Sequence, residues 1–305
     1  MKQSILLTGG SGLLSLNFAL VGQDRYNIIL GLNKKIISIR NITSIKLNLN
    51  SISKIRSEIL KLNPKIIIHN AGLTSVEECE SNPSLAFHIN SQLTTFIADI
   101  CKDLDILLIY ISTDHLFDGK NSFSIENQQL NPINNYAKSK AIAEKYVMDV
   151  CKKIIIARTN FFGWGPSYRS SFSDKIIYSL RKKEKIFLFE DVFFTPILTS
   201  VLFECLIELV NKKKYGIFNI VSKERFTKYD FGVMLSKVFK LDQNLILKNK
   251  LSCSKNLTKR PYDMSLSNKK IVSNLTYRIP NIIEQMKILK QQEKQRSFKE
   301  IINLC

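Results

Sequence analysis

The stretch SILLTGGSGLLSLNFALVG, Ser4 to Gly22, decides the fold. A short apolar run, Ser4 to Leu7, leads into TGGSGLLS, Thr8 to Ser15, and an apolar helix-like run, Leu16 to Val21, follows at once. Gly9 permits a sharp turn from strand to helix. Gly12 lets the backbone approach a pyrophosphate, which then sits at the positive end of the following helix. The segment reads as a dinucleotide-binding turn, with Gly9, Ser11, Gly12, Leu13 and Leu14 against the cofactor. Ser15 stands where a third glycine normally allows tight contact between helix and strand, so slightly looser packing is expected there.

Outward from this turn, β-branched runs recur at Ser4 to Leu7, Asn27 to Leu30, Lys65 to His69, Ile106 to Ile111, Ile154 to Ala157 and Ile217 to Val221, separated by longer amphipathic stretches. Phe87, Asn90, Leu93, Ile97, Ile100 and Leu104 fall at the three-and-four spacing of a helix that covers a sheet. Strands apolar throughout imply a parallel sheet buried on both faces. Right-handed crossovers then close it as a doubly wound α/β fold of the Rossmann type. After about residue 160 the alternation loosens. Residues 1–160 with about 200–221 are expected to form the NAD(P)-binding domain. About 161–199 with 222–305 are expected to form a smaller α/β substrate lobe, interleaved with it.

Cofactor choice is read after the second strand, where an acid would hold the ribose hydroxyls of NAD. GLNKK, Gly31 to Lys35, offers Asn33, Lys34 and Lys35 instead. These suit the extra phosphate of NADPH, with NADH left open.

The chain has 305 residues, 45% of them hydrophobic, enough for a large core. Its 45 Lys plus Arg against 26 Asp plus Glu give +19, a field that attracts phosphate-bearing partners. The basic runs Arg181 to Lys185, Lys212 to Lys214 and Lys290 to Lys299 are scattered, with no nucleic-acid module around them, so a nucleotide is expected rather than a nucleic acid. Six cysteines without paired close spacing suggest neither zinc site nor disulfide framework, and a reducing compartment fits. No apolar stretch approaches the about 20 residues that span a bilayer, and no signal peptide is read, so a cytoplasmic location is expected. The histidines His69, His88 and His115 lie on separate elements, and no metal site is expected.

YISTDHLFDG, Tyr110 to Gly119, ends one strand, and NNYAKSKAIAEKY, Asn134 to Tyr146, follows about twenty residues later. Tyr136 and Lys140 are four apart and share one helical face. Together with the nucleotide turn and the Ser112-Thr113 pair, this spacing resembles the extended short-chain dehydrogenases. The chain is identified more narrowly as resembling the dTDP-4-dehydrorhamnose reductase family over nearly its whole length. Four further stretches carry that resemblance: HNAGLTSVEECESNP (69–83), ART with NFFGWG (157–165), FEDVFFTPIL (189–198) and KRPYDMSLSNKKI (259–271).

The resemblance implies an NADPH-dependent reductase of the 4-keto group of a nucleotide-linked 6-deoxyhexose, serving cell-surface polysaccharide synthesis. By it, Tyr136 gives its proton to the carbonyl oxygen and Lys140 lowers the tyrosine pKa, while Thr113 orients the reacting oxygen. Asn70, Ala71, Gly72 and Ser112 line the cofactor, and Asn48 stands where relatives carry an acid near the adenine. Thr74 and Val76 approach the substrate, and Arg260 is a candidate for the nucleotide's phosphates. Phe161 stands for the family's tryptophan, with Asn160 for serine, so the sugar stays open; Trp164 is either a substrate-stacking residue or lobe core. A homodimer is also implied. Two other functions share the fold. One is an epimerase or dehydratase with retained NAD, which the missing acid argues against. The other is a non-catalytic NADP-binding subunit like the regulatory subunit of methionine adenosyltransferase, which the retained Thr113, Tyr136 and Lys140 argue against.

Overall fold

A computed structural model describes residues 2–49, 51–254 and 257–305. The isoleucine- and leucine-rich runs pack well on a pleated surface and form strands. These are β1 Ser4–Thr8, β2 Asn27–Leu32, β3 Thr43–Lys46, β4 Ile66–His69, β5 Leu107–Ile111, β6 Ile154–Arg158 and β7 Gly216–Asn219. They make one sheet in the order β7-β6-β5-β4-β1-β2-β3, every pair parallel. The order reverses between β1 and β4, and in such sheets the crevice beyond the strand ends at that reversal is where ligands bind. β3 is the one strand the apolar runs do not mark. It is four residues long, at the sheet edge, with none of them buried.

Because successive side chains enter cores on opposite faces of the sheet, the inner strands are apolar through their middles. Ile5 and Leu7 of β1 join one core and Leu6 the other, as do Ile155 and Ala157 against Ile154 and Ile156 of β6. One face is covered by α1 Leu13–Gly22. The other is covered by α2 Ile52–Leu62, α3 Leu93–Asp103 and α4 Asn135–Val150, through Ile55, Ile59, Ile97, Ala143 and Val147. α1 is buried almost all round because a further helix packs on its outer side.

After β6 the chain leaves the sheet, forms α5 Phe172–Arg181, and returns through α6 Thr199–Asn211 to β7. It then leaves again for α7 Lys228–Phe239 and α8 Ile282–Gln292. The two excursions are stitched together: Ile186–Phe189 pairs in parallel with Ile246–Asn249, and Phe193–Phe194 antiparallel with Phe226–Thr227. Met286 and Leu289 of α8 belong to the same hydrophobic cluster as Ile5 and Leu7, so one core runs from the sheet into the C-terminal helices.

Candidate active site

The turn after β1 has the geometry its glycines demand. Gly9 has φ +66°, and a side chain there would meet the Ala71 backbone at 2.9 Å. Gly12 N donates to Gly9 O at 2.9 Å, and Gly12 precedes α1 with no side chain capping the helix and no acid in its first turn. The free N–H groups at that end suit an anion. Ser15 is fully buried and ties the turn to its neighbours rather than loosening it. Its hydroxyl donates to Thr8 O at 3.3 Å and accepts from Asn70 Nδ2 at 2.9 Å.

A buried polar chain then fixes the loop after β4. Thr8 Oγ1 accepts from the Asn70 and Ala71 amides at 3.2 and 3.3 Å and lies 2.7 Å from His69 Nδ1, while His69 Nε2 lies 3.1 Å from Thr94 Oγ1. Burial, with the Lys140 charge adding to it, pushes His69 down to about 3, so the ring is neutral. Thr94 in turn donates to Asn90 O at 2.7 Å. Asn90 sits in a π-helical turn, His88–Gln92, just before α3. Its Oδ1 accepts from Leu73 N at 2.8 Å, and its Nδ2 donates to Leu73 O and Ser139 Oγ, both at 3.0 Å. The wider helical turn thereby locks the Asn70 to Gly72 loop onto α4, where π-turns commonly serve such purposes.

Asn134 caps α4, accepting from Ala137 N at 2.9 Å, and its amide reaches Lys259 O at 3.1 Å, which sets Tyr136 in the first turn of the helix. Tyr136 and His115 meet edge to face at 5.5 Å. Burial drives Tyr136 up to about 12, opposed by a hydrogen bond with Thr113. Lys140 is buried, donates to Ile111 O at 2.7 Å and lies over the Tyr110 ring at 4.1 Å; desolvation takes it down to about 7, against the pull of Glu144. The expected depression of Tyr136 by Lys140 is not found: burial dominates, and the Lys140 ammonium is committed to Ile111 O at the end of β5. Thr113 Oγ1 accepts from His115 N at 3.2 Å and lies 3.4 Å from Asp114 Oδ1, whose other oxygen takes the Asn160 amide at 2.6 Å. Thr113, Tyr136 and Lys140 are therefore brought together. Asp114 and Asn160 lead from them into a cavity of about 260 Å³ that Val76, His115, Phe172, Lys228 and Arg260 help to line.

Of the remaining candidates, Ser112 lies next to Thr113, buried, at the end of β5. Asn33, Lys34 and Asn48 sit beyond β2 and β3, half-buried or exposed, and Thr74 is exposed beside the turn that begins at Ser75. Arg260 pairs with Glu77. Phe161 pairs with Ile197 beside the lobe. Trp164 is not at the cavity: it is fully buried, donates from Nε1 to Leu289 O at 2.8 Å, and packs near Tyr178 and Phe239. Of its two readings, lobe core is the one that geometry leaves, because a ring with no accessible surface cannot stack on a substrate.

Two features carry no sequence signal. Lys228 is one, an unremarkable lysine in a lysine-rich chain. The other is a strap, residues 166–170, in which Tyr168 Oη donates to Ser11 O at 2.9 Å and Arg169 Nη2 donates to Thr74 Oγ1 at 3.0 Å, joining the two walls of the crevice. Lys35 rests on the Tyr168 ring, 4.4 Å from its centroid.

Among the described residues, three buried polar atoms around the crevice have no hydrogen-bond partner: Asn70 Oδ1, Ser112 Oγ and His115 Nδ1. With the glycine cradle and uncapped helix end, they fit a bound dinucleotide and carbonyl substrate. Among the described residues there is no cluster of metal-ligating side chains, and no helix is long and apolar enough to cross a membrane.

The family model described as the RmlD substrate binding domain matches residues 1–294. The chain is 31% identical over 185 residues to a probable low-salt glycan biosynthesis reductase, Agl14, of Haloferax volcanii, covering 59% of this chain and 62% of that protein. It is 26% identical over 282 residues to the dTDP-4-dehydrorhamnose reductase of Aggregatibacter actinomycetemcomitans, covering 88% and 91%. In fold it is similar to dTDP-4-dehydrorhamnose reductase from Bacillus anthracis in complex with NADP, with a TM-score of 0.85 at 22% identity, covering 96% of this chain and all of that one.

Proposed function

Since the chain belongs to the RmlD substrate binding domain family, we propose that it is an NADPH-dependent reductase of the 4-keto group of a nucleotide-linked 6-deoxyhexose. Its product would serve surface polysaccharide synthesis. The observation that carries this reading is the convergence of Thr113, Tyr136 and Lys140 at the strand ends, next to a cavity that their neighbours His115 and Asn160 line.

NADPH supplies the hydride when bound; Gly9, Ser11, Gly12, Leu13, Leu14, Asn70, Ala71, Gly72 and Ser112 would hold it, with Asn33, Lys34 and Asn48 at the adenosine end. The rest of the chemistry belongs to the chain's own side chains. Burial holds Tyr136 at about 12, so the phenol is protonated at neutral pH and available as an acid. Thr113, fixed by the His115 amide, presents its hydroxyl to the same carbonyl oxygen. As the proton leaves Tyr136, the phenolate that forms is stabilised by that hydroxyl and by the Lys140 charge. Thr74, Val76, Phe161 and Arg260 are assigned to the sugar nucleotide. The cofactor part is assigned to residues 1–160 with about 200–221 and the substrate part to the two excursions. A cytoplasmic homodimer completes the reading, checked by light scattering.

The test is NADPH oxidation, followed by nicotinamide absorbance, against dTDP-, UDP- and GDP-linked 4-keto-6-deoxy sugars, with NADH in parallel. Turnover with one of them is expected. Tyr136→Phe should keep cofactor affinity and lose about 100-fold or more in kcat. Full activity in that variant overturns the mechanism. NADPH binding without turnover of any sugar favours the non-catalytic subunit.

A further inference from the structure

One cation in the cavity wall, Lys228, makes no ion pair among the described residues. Lys228 begins α7; its backbone N–H donates to Val192 O at 3.0 Å, and Thr227 caps the helix by accepting from Asp230 N at 2.9 Å, so the root of the side chain is fixed. Its Nζ lies 3.3 Å from the Phe194 ring centroid and 4.9 Å from that of Phe172. Among the described residues no carboxylate pairs with this ammonium and no oxygen accepts a hydrogen bond from it. Lys228 is half-buried and lines the cavity, so its three donors are open to whatever fills it, and the two phenyl rings beneath make a donor from a bound ligand worth more than one from water. Desolvation brings Lys228 down to about 8. Asp114 is the charge that opposes this, but its Oδ2 is already taken by Asn160 at 2.6 Å.

Position and charge narrow what that ligand group is. The reactive end lies at Thr113 and Tyr136, and Asp114 and Asn160 lead from it into the cavity that Lys228 lines. Arg260 pairs with Glu77, whose side chain is 48% exposed, and so marks the outer rim, where a hydrated diphosphate belongs. Lys228 lies against Phe172 and Phe194 with its charge partly offset by Asp114, which matches a hydroxyl better than a doubly charged diphosphate. We propose that Lys228 donates to an oxygen substituent of the substrate's hexose away from the reacting carbon, and thereby sets which sugars the cavity accepts. This rests on the sugar-nucleotide reading of the site.

Lys228→Met keeps the stem on the two rings and removes the donors; Lys228→Arg keeps a cation. Each is compared with the natural chain in steady-state turnover of keto-sugar nucleotides that carry or lack individual ring hydroxyls. Binding of the sugar-free nucleoside diphosphate and of NADPH is measured by calorimetry alongside. The natural chain should prefer one hydroxyl-bearing sugar. Lys228→Met should raise KM for it by about tenfold or more and collapse the preference, with Lys228→Arg retaining part of it. Affinity for the nucleoside diphosphate should not change. Because a ratio between two sugars on one variant is read, a partly destabilised variant still reports. A preserved preference in Lys228→Met overturns the proposal, and so does a matching loss of nucleoside diphosphate binding, which would place the lysine on the phosphates. If the natural chain neither turns over nor binds any sugar nucleotide, the site reading falls and this proposal with it. If it turns over and only the variant's preference is unaltered, Lys228 alone is misassigned.

Discussion

Replacing Arg158 with Met would leave Glu144 an uncompensated carboxylate inside the protein. Both side chains are 3% exposed, and three contacts of 3.2, 3.1 and 2.7 Å join them, with a fourth bond from Arg158 to Glu126 O at 3.0 Å. At the shortest separation the gross attraction is on the order of 6 kcal/mol for an effective dielectric of about 20. Most of it only offsets the desolvation of the two ions, so the pair's net worth is small. Removing one partner leaves the other's desolvation unopposed, and a loss of about 3–5 kcal/mol is expected. Glu144→Leu should cost a similar amount. The double variant, which buries no charge, should lose much less than the sum of the two. Urea unfolding followed by the emission of Trp164 measures this directly, because that residue is the chain's single tryptophan and is fully buried. A loss below about 1 kcal/mol in Arg158→Met, or a double variant equal to the sum, would refute the reasoning.

Two further expectations follow from the buried groups near the strand ends. Burial takes Lys140 down to about 7, so between there and the ordinary lysine range the folded chain binds fewer protons than the unfolded one. Stability should therefore rise with pH across that window, by up to about 1.4 kcal/mol per pH unit. Lys140→Met removes the slope, and its gain in Tm over the natural chain should be larger at acid pH than at alkaline pH; equal gains would contradict the assignment. Asn90→Ala leaves Leu73 N and O without their partner and should cost about 1–3 kcal/mol. It should also weaken NADPH, since the loop at Asn70 to Gly72 loses its anchor. A titration and a melt indistinguishable from those of the natural chain would show that the π-turn does not hold the loop.

Much of this architecture was legible because parallel strands buried on both faces need unbroken apolar runs, and six of the seven announce themselves that way. β3 does not: TSIK is short, at the edge, and wetted along its length, so nothing in its residues separates it from a loop. The helical spacing from Phe87 to Leu104 is real, yet it conceals the π-turn, because Asn90 stays buried within it and Leu93 and Ile97 beyond it still reach the core against the sheet. The glycine turn and the Tyr136 and Lys140 pair could be read because local spacing carries them. Lys228 and the strap at Tyr168 could not. Their neighbours come from segments far off in the chain, and a lysine among 45 basic residues gives no sign that two phenyl rings lie beneath it. Trp164 invited a binding role because it is unique; its surroundings, also assembled from distant helices, assign it to packing.

The sheet is completed out of chain order, and this has a consequence for synthesis. β6 ends at Arg158, but its second neighbour, β7, does not begin until Gly216. While the nascent chain grows through the roughly 60 residues between them, the row of amides and carbonyls along Ile154–Arg158 has no mate on that side, and an apolar strand with an open edge is a template for another chain. The span made in that interval ends in α6, most of whose residues are buried. Ribosome-bound chains stopped before residue 219 should therefore hold to chaperones, and those that include β7 should let go.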